Sequence, residues 1–172
     1  MLTMIKELFA NQYEAAFCTL SACVERCPDK SWNAPVARFP FSQVALHTLI
    51  FADLYLSRDE DAMKSQPYHR EHPSFFGQYE QLLDQEPTEV YERAAIKSYL
   101  EFCRARASAV TQSETVESLA VPCGFPRKDF SRAELHVCNI RHIQHHAAQL
   151  TLRLRLDANV DTPWVSSGWR EF

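Results

Sequence analysis

The sequence predicts an all-α fold, four long helices packed as a bundle, on three observations. Glycine occurs only three times in 172 residues, whereas sheets joined by tight turns use it freely. Apolar residues recur at three- and four-residue steps over four long stretches, the periodicity of a helix with one buried face. The stretches are separated by connections rich in proline, aspartate and asparagine, which interrupt helices.

The first helix is expected from about Thr3 to Cys27. Ile5, Leu8, Phe9, Ala16, Leu20 and Val24 mark its apolar face, and Lys6, Glu7, Glu14 and Glu25 its polar one. Thr3 is placed to cap the start, and Pro28 closes the end. A turn-rich loop with Asp29, Asn33, Pro35 and Pro40 leads to a second helix, Ser42 to Ser57. That helix is apolar nearly all round and should be buried. Residues 58–87 form a long connection containing Pro67, Pro73, Gly77 and Pro87. Phe75, Phe76, Tyr79, Leu82 and Leu83 should pack it onto the bundle, with room for a short helix. A connection of this length suits a bundle with a crossover.

The third helix is expected from Thr88 to Thr111, with Glu89/Arg93 and Lys97/Glu101 as surface ion pairs four residues apart. Residues 112–130 read as a loop. The fourth helix opens on Ser131-Arg-Ala-Glu134, a capping box, and runs to about Leu156. Leu150, Leu152, Leu154 and Leu156 alternate with polar residues as in a strand. The segment nevertheless continues a capped helical run without a break, so helix is the reading. The tail is irregular, and Trp164 and Trp169 should dock on the bundle.

Length and composition suit one soluble domain over residues 1–172. The formal charge of −4, with no basic run, argues against a nucleic-acid partner. No stretch is long and apolar enough to span a membrane, and the N-terminus does not read as a signal peptide, so a cytoplasmic location is expected. In a reducing compartment the six cysteines are expected to be free. Cys23 and Cys27, four apart, are at most a weak zinc signal without a second pair.

The histidines carry the chemistry. His142 and His146 are four apart, about 40° around a helix, so both project from one face and can chelate one ion. His145 points elsewhere, to the flank or to a supporting position. His47 sits in the apolar run VALHTLIFADLYL, and a histidine buried there needs a partner, since an unpaired buried polar group costs about 1–3 kcal/mol. Taken singly, such a histidine is an ordinary hydrogen-bonded core residue, and an H-x-x-x-H pair an ordinary surface feature. Together on two long helices they point to a shared ion, with positions left open for water or substrate. His69 and His72 form a rival pair in a proline-bounded loop. Helix geometry places Gln43, Phe51 and Leu54 on the face of His47, and Leu135, Cys138, Asn139 and Gln149 near that of the pair. Of these, Gln43, Asn139, Gln149 and His145 are candidates for the pocket or for supporting a ligand. Nothing obvious serves as a general base, so no catalytic residue is assigned, and Asp53 faces away from His47.

Three segments, FSQVALHTLIFADLYL, YHREHPSFFGQYEQL and NIRHIQHHAAQL, resemble the DinB/YfiT-like superfamily of small metal-binding four-helix bundles. The resemblance implies a crossover between the second and third helices and frequent homodimers. It also implies one divalent ion on His47, His142 and His146, with zinc or nickel first and iron or manganese also fitting. Characterised relatives include thiol-cofactor S-transferases and a thiol-dependent isomerase. A metal-dependent transferase or hydrolase, acting on a small molecule and using a low-molecular-weight thiol in the first case, is therefore the leading expectation. The alternative is a non-catalytic metal-binding or stress-associated bundle acting through dimerisation.

Overall fold

The structure is a computed structural model that describes residues 1–76, 91–126 and 128–171. Among these residues there are eight helices: α1 (Leu2–Arg26), α2 (Asp29–Trp32), α3 (Phe41–Leu56), α4 (Glu60–Lys64), α5 (Pro67–Glu71), α6 (Arg93–Ser113), α7 (Val116–Ala120) and α8 (Arg132–Ala158). Two short strands, β1 (Pro35–Val36) and β2 (Phe39–Pro40), pair as an antiparallel hairpin before α3. The long helices α1 and α3 each pack against both α6 and α8, and the core lies between the four. Among the described residues, no helix is long and apolar enough to cross a membrane.

The long helices bury most of their predicted apolar positions, but Leu8, expected on the apolar face of α1, is 53% exposed near the start of that helix. α1 starts at Leu2 with no side-chain cap, so Thr3 is inside the helix. It stops at Cys27, which is extended ahead of Pro28 as the proline ring requires. α3 is buried except for His47, Phe51, Leu54 and Tyr55, which recur at four, three and one residue steps and so share one face. That less buried strip is where the histidine lies. α8 begins with half of the expected box: Ser131 Oγ accepts from the Glu134 N–H at 3.3 Å. It ends at Asn159, a left-handed cap. The alternating leucines are helical. Leu150 and Leu154, four apart, are buried, while Leu152 and Leu156 are 57% and 70% exposed.

The connections hold the remaining corrections. The long link after α3 contains two short helices, α4 and α5, and Phe75 and Phe76 pack on the core. Gly77, Tyr79, Leu82, Leu83, Pro87, Thr88 and Glu89 lie outside the described residues, and the helix expected from Thr88 begins at Arg93, because Glu92 before it is extended. Arg93 binds Asp29 and the carbonyls of Val24 and Cys27, tying α6 to the end of α1. Lys97 pairs with Glu25 at 3.0 Å rather than with Glu101, because that face of α6 looks onto α1. The expected loop 112–130 contains α7, capped by Thr115 and Ser118. In the tail Trp169 docks, with the Arg104 guanidinium 3.7 Å over its ring, but Trp164 is 73% exposed.

Two buried polar clusters brace these elements. Asp53, fully buried on α3, accepts from Tyr99 at 2.9 Å and contacts His69 Nε2 at 2.7 Å and Arg106. These contacts give Asp53 a structural role on the side of α3 away from His47. It also engages His69, whereas His72 is exposed and bonds the Tyr68 carbonyl. At the other cluster, His136 bridges Tyr13 and Glu114 at 3.0 Å each, and Arg132 also binds Glu114. All six cysteines are free.

Candidate metal centre

α3 and α8 pack side by side, and their contact brings His47 against His142 and His146. The ring centroids are 5.6 Å apart for His47 and His142, 4.9 Å for His47 and His146, and 4.6 Å for His142 and His146. One nitrogen from each ring lies within 4.8 Å of the others. Among the described residues this is the only cluster of three histidine, cysteine or carboxylate side chains so arranged. Cys23, Cys27 and Cys138 are outside it.

The two sides of the cluster differ. His142 lies against Phe51 and Tyr55, at 5.6 and 6.2 Å between ring centroids, and Tyr55 is backed by Phe125 and by the Lys128 ammonium. This side is closed by aromatic surface. His47 and His146 instead form part of the wall of a cavity of about 640 Å³.

Electrostatics keeps the rings neutral. Burial, helped by neighbouring His146, lowers the pKa of His47 to about 4. Burial and the adjacent His146, His47 and His145 rings lower that of His142 to about 3. Burial also lowers His146, against the hydrogen bond to Gln149 that raises it. At neutral pH each ring therefore keeps a lone pair. His142 Nε2 is buried and has no hydrogen-bond partner, an arrangement that normally costs stability unless something else occupies the acceptor. A cation is the partner that several converging neutral imidazoles can share, so the residues present fit a metal ion.

The supporting candidates separate. Gln149 Oε1 lies 2.8 Å from His146 Nδ1, and its Nε2 lies 3.2 Å from His145 Nε2. The first contact, with Nδ1–H as donor, leaves His146 Nε2 free. Gln43 is buried in the cavity wall. Asn139 is committed elsewhere, donating to the Ala52 carbonyl at 2.9 Å and so joining α8 to α3. The sequence reading missed Tyr55, Phe125 and the hairpin that walls the cavity. Only Tyr55, eight residues after His47, carried a helical signal that could have found it.

No curated protein and no solved structure matches the chain. The model of the DinB superfamily matches residues 12–150, which take in most of α1, all of α3 with His47, all of α6, and α8 as far as Leu150, past His142 and His146. The chain therefore belongs to the DinB superfamily.

Proposed function

We propose that the protein is a metal-dependent enzyme of small molecules, a thiol-using transferase or a hydrolase, built on a DinB-type four-helix bundle with its crossover between α3 and α6. His47, His142 and His146 would hold one divalent ion. The observation that carries the reading is the meeting of three neutral imidazoles at the edge of a cavity of about 640 Å³, a size suited to a small organic ligand. A storage or purely structural site has no need of such a space beside it.

A bound divalent ion would supply Lewis acidity, holding a thiol as thiolate or lowering the pKa of water. The chain's own residues do the rest. The imidazoles add no negative charge, so they leave an ion's charge uncompensated. Gln149 fixes the His146 ring by accepting from Nδ1. Phe51 and Tyr55 exclude water on the His142 side, and the opposite side admits a ligand.

The test is metal analysis of protein purified without a histidine tag. About one equivalent of a divalent metal is expected in the wild type, and its loss in His146→Ala, with helix content unchanged by circular dichroism. Stoichiometric metal retained as tightly by His146→Ala would overturn the assignment. Thiol-conjugation and hydrolysis assays on the loaded protein then separate the two chemistries, and a non-catalytic bundle would show neither.

A further inference from the structure

The cavity beside the histidines has a chemical character of its own. Val36 and Phe39 of the hairpin, Val44 of α3, and Leu152 and Leu156 of α8 give it apolar walls. Two observations break that apolar surface. Gln43, one helical turn before His47, is only 3% exposed, and its Oε1 has no hydrogen-bond partner although it lies in the cavity wall. A buried amide oxygen without a donor costs stability, and a ligand in the adjoining cavity that offers one would relieve it. At the mouth stands Arg38, exposed on the hairpin's two-residue turn, with Ala37 beside it held at φ +55°. Arg38 has no carboxylate partner among the described residues, whereas the other arginine of the wall, Arg153, is ion-paired with Asp157 at 2.6 Å.

We infer that this cavity binds a small organic acid with an apolar body. The carboxylate lies at Arg38, and a hydrogen-bond donor of the ligand meets Gln43 Oε1 beside His47. This deepens the enzyme reading above and rests on it for the ligand's fate, but not for its binding. An acid of this kind is the partner that a guanidinium with no carboxylate partner at the rim, the apolar walls of the cavity and an unpaired acceptor among its lining residues would each recognise. It also places the ligand's donor end, not its carboxylate, next to the histidine cluster.

Isothermal titration calorimetry on the full chain, metal-stripped and zinc-loaded, tests this with octanoate, 8-hydroxyoctanoate and octylamine. Octanoate should bind at least tenfold more tightly than octylamine. Arg38→Met should remove most of that preference, and because Arg38 is exposed on a turn this variant should fold. Val44→Trp, which fills the space, should abolish binding. Gln43→Leu should erase any advantage of 8-hydroxyoctanoate over octanoate and leave octanoate itself within about twofold. No binding by any of the three compounds, equal binding of octanoate and octylamine, or binding that survives Val44→Trp would each overturn the proposal. So would sedimentation showing a dimer that Leu152→Glu dissociates and that admits octanoate only once dissociated, because the occupant would then be a second copy of the chain. The two readings fail separately. Octanoate binding to metal-stripped protein stands even if no metal site exists, and stoichiometric zinc without octanoate binding sinks only the present inference.

Discussion

Gln149 sits between two histidines and accepts from only one of them. By accepting a hydrogen bond from His146 Nδ1–H it leaves the free lone pair of that ring on Nε2, and its own amide N–H is spent on His145. Supporting contacts of this kind are worth about 10–100-fold in metal affinity. Gln149→Ala is expected to weaken metal binding by that range, read by competition against a chromophoric chelator. The unfolding midpoint of the metal-free protein should change little, because Gln149 is exposed and packs against nothing in the core. The three central histidines were legible in the sequence for a local reason: two are four apart on a helix, and the third is alone in an apolar one. Arg38 was not, because Ala37-Arg38 lacks the glycine or asparagine that announces a two-residue hairpin turn. His136 was equally silent. Its partners, Glu114 and Tyr13, are 22 and 123 positions away, and only tertiary packing assembles them.

Among the elements, α8 is the most heavily anchored. Glu114, just past the end of α6, receives Arg132 and His136 from the first two turns of α8, together with Ser118 of α7. Arg132 in turn donates to the carbonyls of Tyr55, Leu56 and Ser57 at the end of α3. Burial alone would raise the pKa of Glu114, but the hydrogen bonds from Ser118, His136 and Arg132 outweigh it and hold the carboxyl below 4.5. Glu114→Gln should therefore cost about 1–3 kcal/mol at pH 7, measured by urea unfolding. The carboxylate's pKa is lower in the folded chain, so its contribution is complete above the unfolded value and disappears as pH falls through the folded one. The gap between wild type and variant should accordingly narrow as pH drops below about 4.5. The long helices themselves were legible from periodicity, with boundaries within two residues at most ends. Their surface pairings were not: Lys97 chooses Glu25 over Glu101 because α1, rather than solvent, lies beside it.

For the molecule as a whole, a ligand shared by α3 and α8 fastens two helices that already touch. At a free metal concentration 100 times Kd, binding to the folded state alone adds about 2.7 kcal/mol. For a chain of this size that corresponds to roughly 5–11 °C in the unfolding midpoint. Differential scanning calorimetry of metal-stripped and zinc-loaded protein should show such a shift, which disappears in His146→Ala. The fold class and the family were both readable beforehand, since helical periodicity and the H-x-x-x-H motif are local. The cavity was not, because its walls come from the hairpin, the start of α3 and the C-terminal half of α8, which no sequence window joins.

The split of the triad between α3 and α8 also bears on synthesis. A chain leaving the ribosome offers His47 early, but His142 and His146 emerge only with α8. An ion held by these three rings would load only after α8 has docked, and a truncated product lacking that helix would not compete for it at this site.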